Sequence, residues 1–225
     1  MGDGFFIQKL FSSDPGERFF FLAAILTVVV SIVLHELAHG WMAIKLGDNT
    51  PNRLGRMTGN PLVHMGPFSI VALLLLGIAW GQMPIDPSRM RGKYAEAKVA
   101  FAGPATNLSL AFLSLTSLGL WVRFGGGPSY EEITQLSTIA GKGYMLLWVF
   151  GQMNLMLFVF NLLPVPPLDG SHILANFHQG YANLLGDPSK QGIFLFAFMF
   201  AFMFAGALFG PVLELGGKYV LLVSG

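Results

Sequence analysis

His35, Glu36 and His39 stand together in VLHELAHGW, residues 33–41. On an α-helix, His35 and His39 are four residues apart and project from one face, one imidazole above the other, at a separation that suits two bonds to a single zinc ion. Glu36 sits about 100° further round, where it reaches a metal-bound water without ligating the metal itself. That division of labour is the HExxH arrangement of metal-dependent hydrolysis. The competing reading is a helix end with solvated polar residues ahead of Lys45. Position argues against it, because FFFLAAILTVVVSIV (19–33) lies directly upstream and an ionisable group inside a span costs about 2.5–3.5 kcal/mol.

Two histidines do not complete a hydrolytic zinc site, which takes three protein ligands and a water. The candidate for the third is Asp169 in NLLPVPPLDG, residues 161–170, the only carboxylate between Glu132 and Asp187. Pro164, Pro166 and Pro167 cannot continue a helix, so the backbone unwinds there. Irregular backbone at membrane depth is tolerated where it lines a buried cavity. The alternative for Asp169 is N-capping the short helix SHILANF beyond it.

The elements that must position these residues are membrane helices. Of the 225 residues, 53% are hydrophobic and only 11% charged, too few polar groups to wrap a water-soluble core of this size. Net charge is +1 with no basic run, so nucleic acid is not a partner. There are no cysteines, which excludes disulfides and thiolate metal sites. The N-terminal segment has no basic region followed by a cleavage site, so no removable signal peptide is expected.

Residues 19–34, 99–122, 143–168 and 191–213 are free of Asp, Glu, Lys and Arg, and three of the four exceed the ~20 residues needed to span hydrocarbon. The first reaches that length only by including the His/Glu cluster. A fifth apolar stretch, 65–85, is cut by Gly66, Pro67, Gly77, Gly81 and Pro84 and reads as a fifth span or a re-entrant segment. If it re-enters, Lys45, Arg53, Arg56, Arg89, Arg91, Lys93, Lys98 and Lys190 share one side, eight of the 13 basic residues. The positive-inside rule makes that side cytoplasmic. Asp3, Asp14, Glu17, Glu131, Glu132 and Glu214 then collect on the opposite face, with both termini. Counted from Phe19, His35 lies about 24 Å into a layer of ~30 Å, nearer the cytoplasmic side.

HELAH on a transmembrane helix, FAGPATN (101–107) opening a later one and NLLPVPPLDG closing the next resemble, in that order, the site-2 protease family of intramembrane zinc metalloproteases, peptidase family M50. The resemblance covers about residues 19–175, and GRMTGNPLVH (55–64) resembles the segment after the zinc helix in short members. It implies that His35, His39 and Asp169 ligate one zinc ion and that Glu36 is the catalytic base. Asn161, eight residues before the aspartate, is implied to orient substrate or the developing oxyanion. The implied substrate is a membrane protein with a single transmembrane segment, cut within or near that segment in regulated intramembrane proteolysis. Some members carry a PDZ or a nucleotide-sensing CBS domain, for which this chain has no room.

The expected fold is an all-α polytopic membrane protein of the cell membrane, with about four transmembrane helices, a re-entrant or fifth apolar segment and a small membrane-associated hairpin. One domain over 1–225 divides into a zinc-ligand helix at 19–46, a loop or hairpin at 48–66, a re-entrant or short helix at 67–83, a helix at 99–122, a helix and aspartate loop at 141–170 and a helix at 191–213. An edge strand within 48–64 is a candidate for holding substrate extended by backbone pairing. Asn107, Gln152 and Asn154 are expected to make packing hydrogen bonds between helices, with substrate contact as the alternative for Gln152 and Asn154. His64 is expected to support or gate the site without ligating, and His172 and His178 to be interfacial. The phenylalanine run at 193–204 faces lipid or forms a gate. The competing function classes are a metal-ion transporter, which also uses broken helices and midplane ligands, and a catalytically silent zinc-binding membrane protein. No inverted repeat favours the first, and the intact Glu36 disfavours the second.

Overall fold

The computed structural model describes residues 6–136 and 138–225. Asp3, assigned above to the outer face, lies outside them. Ten α-helices follow in chain order among the described residues: α1 Pro15–Lys45, α2 Thr50–Arg53, α3 Pro61–Leu76, α4 Ala95–Gly125, α5 Tyr130–Gln135, α6 Ile139–Asn161, α7 Asp169–Phe177, α8 Gln179–Leu185, α9 Gln191–Met203 and α10 Ala205–Ser224. No strand occurs among them. Four helices, α1, α4, α6 and α10, are long and apolar enough to cross a membrane, so the chain is an all-α polytopic membrane protein.

Local chemistry sets the helix ends. Asp14 opens α1, its Oδ1 accepting from Gly16 N at 2.7 Å, with Pro15 in the first turn, where the missing N–H costs nothing. Thr138 caps α6 in the same way through Gly141 N at 3.1 Å. α6 stops at Asn161 because three prolines follow within six residues.

Side chains tie the helices into an antiparallel bundle. His35 and His39 of α1 meet Asn107 and Val99 of α4. Ser114 Oγ donates to Leu147 O of α6 at 2.8 Å. Thr116 Oγ1 and Tyr219 Oη join α4 to α10 at 2.8 Å, and Gln152 Nε2 of α6 donates to Leu213 O of α10 at 3.2 Å. Such bonds matter in lipid, where apolar side chains gain little by leaving hydrocarbon for one another. These pairings put the start of α1 and the end of α10 at one end of the bundle.

The excursion between α1 and α4 leaves and returns at a single point. Arg91 N donates to Leu46 O at 2.8 Å, and Asp48 accepts Asp86 N on Oδ2 at 2.7 Å and Thr50 N on Oδ1 at 2.9 Å. Burial of Asp48 opposes its ionisation, but these donors outweigh it and hold the carboxyl below its ordinary 3.8. Within the excursion α3 is broken at Gly66 (φ 69°, ψ 167°), a conformation open to glycine, with Pro67 behind it. Beyond the break, 67–76 reaches about 15 Å, and the chain then runs back along it as extended backbone over 78–86. Trp80 N donates to Ser69 Oγ at 2.8 Å, Ser69 Oγ to Trp80 O at 2.7 Å, and Gln82 N to His64 O at 3.1 Å.

Two expectations change here. Residues 48–66 hold turns, α2 and the start of α3, so the extended segment is 78–86 and no edge strand lies in 48–64. Turn residues dominate 48–64 and favour tight reversals over strand. The last span is displaced as well: 191–213 divides at Phe204 into α9 and α10, and the spanning helix is Ala205–Ser224. Counting charges missed this because Glu214 and Lys218 pair at 2.6 Å one turn apart and do not end the helix.

Candidate metal centre and catalytic cavity

His35 and His39 are both buried on the inner face of α1, with Nε2 atoms 2.9 Å apart. Nδ1–H of His39 donates to Val99 O at 2.7 Å. A carbonyl only accepts, so Nδ1 carries a proton, and in the neutral imidazole the lone pair is on Nε2. His35 Nδ1 lies 2.6 Å from Asn107 Oδ1. Asp169 approaches from the opposite side, Oδ2 3.1 Å from His35 Nε2 and Oδ1 3.3 Å from His39 Nε2. Its buried Oδ2 accepts no hydrogen bond. Two nitrogen lone pairs and a carboxylate, with ligand atoms all within 4.8 Å of one another, repel unless a cation lies between them. Separations near 3 Å suit an ion bound at about 2.0–2.2 Å, so the donor set fits zinc.

The aspartate reaches this point because α7 begins at Asp169 itself. Leu168 holds the N-cap position and makes no side-chain cap, so Asp169 does not cap α7 and its carboxylate is spent on the histidines. Ser171 Oγ donates to Leu168 O at 2.7 Å and Tyr181 Oη to Pro164 O at 2.8 Å, fixing the proline loop. Close approach of α4 requires Gly103. A Cβ there would lie 2.5 Å from His35 Nε2 and His39 Nε2.

A cavity of about 660 Å³ opens on the cluster, lined by His35, Glu36, His39, Asn161 and Asp169 among others. Glu36 is buried and lies outside the three-residue ligand group. The extended segment crosses directly over it, since a Cβ on Gly81 would lie 2.6 Å from Glu36 Oε1. Asn161 Nδ2 donates one N–H to Leu157 O at 3.0 Å and keeps a second. Phe198 and Phe202 line the cavity, while Phe196 and Phe200 are exposed on the outer side of α9.

His64 is buried, its Nε2 bonded to Thr58 O at 2.7 Å, and it is not among the converging ligands. His178 caps α8 by accepting Tyr181 N at 3.0 Å, and exposed His172 lines the cavity mouth. Gln152 bridges helices as expected of it. Asn107 and Asn154 do more than pack: Asn107 Nδ2 donates to Asn154 Oδ1 at 2.9 Å, and the pair ends on His35. The available signal was two asparagines inside antiparallel spans, one of them in FAGPATN; which group each faces depends on helix rotation.

Fold and site together define a polytopic membrane protein with a buried two-histidine, one-carboxylate centre. Residues 124–206 match the model of peptidase family M50. The chain is 34% identical over 201 residues to "Putative zinc metalloprotease YwhC" of Bacillus subtilis, covering 88% of each chain. It is 32% identical to "Putative zinc metalloprotease Rip2" of Mycolicibacterium smegmatis over 78% of this chain and 64% of that one. It is 28% identical to "Zinc metalloprotease MJ0392" of Methanocaldococcus jannaschii over 72% of this chain and 36% of that one. No solved structure matches the chain at a significant level. The chain belongs to peptidase family M50 and is a zinc metalloprotease.

Proposed function

We propose that this zinc metalloprotease cuts a peptide bond within or near the transmembrane segment of a single-span membrane protein, as in regulated intramembrane proteolysis. In this reading His35, His39 and Asp169 hold one zinc ion, Glu36 is the base and Asn161 assists. The observation that carries it is the convergence of three electron-pair donors on the buried face of a 31-residue apolar helix.

Zinc held by His35, His39 and Asp169 would supply Lewis-acid chemistry, polarising a carbonyl and acidifying a water towards a pKa of ~7. Glu36, held under the extended segment, would take a proton from the attacking water and pass it to the leaving amine. The free N–H of Asn161 donates to the developing oxyanion. A helical substrate shields its carbonyls and must unwind before attack. In 78–86, Gln82 N is spent on His64 O, and the neighbouring amides of Gly81 and Met83 remain to pair with an unwound strand.

In this reading the active site lies nearer the cytoplasmic face of the cell membrane. Supporting this, Lys45, Arg53, Arg56, Arg89, Arg91, Lys93 and Lys98 all lie within ten residues along the chain of Leu46 or Arg91, where the 46–91 excursion leaves and returns, and basic residues favour the cytoplasmic side. The chain has no cysteine, so one introduced at Arg56 should react with an impermeant thiol reagent only from that side.

The testing experiment is co-reconstitution of purified protein with a panel of single-span membrane proteins in liposomes, with cut sites mapped by mass spectrometry. Cuts are expected inside the span or within a few residues of it. Cuts confined to soluble regions remote from the bilayer would contradict the proposal.

A further inference from the structure

The polar groups behind His35 form a closed chain across three helices. It starts at a group whose direction is not in question. Asn154 Nδ2 donates to the backbone carbonyl of Phe150 at 2.9 Å, and a carbonyl can only accept. The other end of that amide, Oδ1, therefore faces α4, where Asn107 Nδ2 donates to it at 2.9 Å. With its NH₂ committed, Asn107 presents Oδ1 to His35, 2.6 Å from Nδ1. Nδ1 must carry the proton, so in the neutral imidazole the lone pair is on Nε2, the atom turned towards Asp169 and His39. Each step follows from the one before, and both asparagines are at most 1% exposed, so water does not compete.

We infer that Asn107 and Asn154 are positioning residues that hold His35 in its metal-binding tautomer and orientation. His39 obtains the same service from one contact, the carbonyl of Val99. His35 obtains it through two amides, and this has a consequence. The first amide is on α4 and the second on α6, the helix that leads into Asn161 and the Asp169 loop. The orientation of His35 on α1 is thereby tied to the helix that delivers the opposing carboxylate. Isolated, an interhelical hydrogen bond in a membrane averages about 0.6 kcal/mol. Set behind a metal ligand, such partners typically govern 10–100-fold in metal affinity.

This inference rests on the reading of His35 as a zinc ligand, and the experiment separates the two. Zinc affinity is measured by chelator competition on purified full-length protein, alongside the thermal unfolding of each metal-free variant. Asn107→Leu removes the acceptor and should bind zinc about 10- to 100-fold more weakly, with metal-free unfolding close to that of Asn107→Asp. Asn107→Asp keeps an oxygen facing Nδ1–H and should stay within about threefold of wild type. Asn154→Ala leaves Asn107 in place but unoriented, and should weaken zinc several-fold. Equal affinity in Asn107→Leu and Asn107→Asp, whether both wild-type or both weakened, would overturn the relay, as would wild-type affinity in Asn154→Ala. Wild-type zinc affinity in His35→Ala would instead overturn the ligand reading beneath it.

Discussion

Asp169 and His35 come within 3.1 Å of each other although five helices, α2 to α6, lie between them in the chain. What brings them together is the end of α6, where prolines replace helix by a loop and α7 restarts on Asp169 itself. A carboxylate at that point completes a set of three electron-pair donors. Its stability should therefore depend on the metal.

Chelation should lower the unfolding temperature of the wild-type protein in detergent, because an ion bound only by the folded state stabilises it by mass action. Readdition of zinc should restore it. Elemental analysis should give about one zinc per chain, and His35→Ala, His39→Ala and Asp169→Ala should each lose most of it and become insensitive to the chelator. Full occupancy in any of the three removes that residue from the ligand set.

Gly103 should tolerate nothing larger. Its missing Cβ leaves the space in which both Nε2 atoms sit, 2.5 Å from where that carbon would be. Overpacking of this kind typically costs 1–3 kcal/mol, here borne by the α1–α4 contact. Gly103→Val should reduce zinc affinity about tenfold or more, measured by competition. An unchanged affinity would show that α4 can retreat without moving the histidines.

Much of this was legible in the residues. HELAH in an apolar run indicated a metal-binding helix because the four-residue spacing and the cost of burying charge act locally. The proline loop indicated where Asp169 would emerge. Asn107 was legible only as a polar residue in a span, since its contact with His35 depends on how α4 is rotated against α1. The extended segment 78–86 was also hidden: its glycines and Pro84 marked a broken helix, but its return along α3 depends on Ser69 and His64, which lie 11 and 18 residues away from Trp80 and Gln82. Phe204 breaks the last apolar run with neither a charge nor a proline to announce it.

Acid should loosen the return of that segment. The carboxyl of Asp48 is held below its ordinary 3.8 in the folded protein, so its contribution is complete above that value and is lost as pH falls through the lower folded one. Melting followed from about pH 6 down to about pH 3 should show a steeper loss for wild type than for Asp48→Asn, which lacks the titrating group. Parallel curves would show that Asp48 contributes no pH dependence.

The central claim, hydrolysis at this centre with Glu36 as its base, is tested most directly by Glu36→Gln. The substitution keeps size and shape and removes the base, and Glu36 lies outside the ligand group. Zinc should remain at about one per chain, while cleavage of a co-reconstituted single-span substrate should fall at least 100-fold, within the 10²–10⁴ range of a positioned general base. Cleavage at the wild-type rate with zinc still bound would contradict the account.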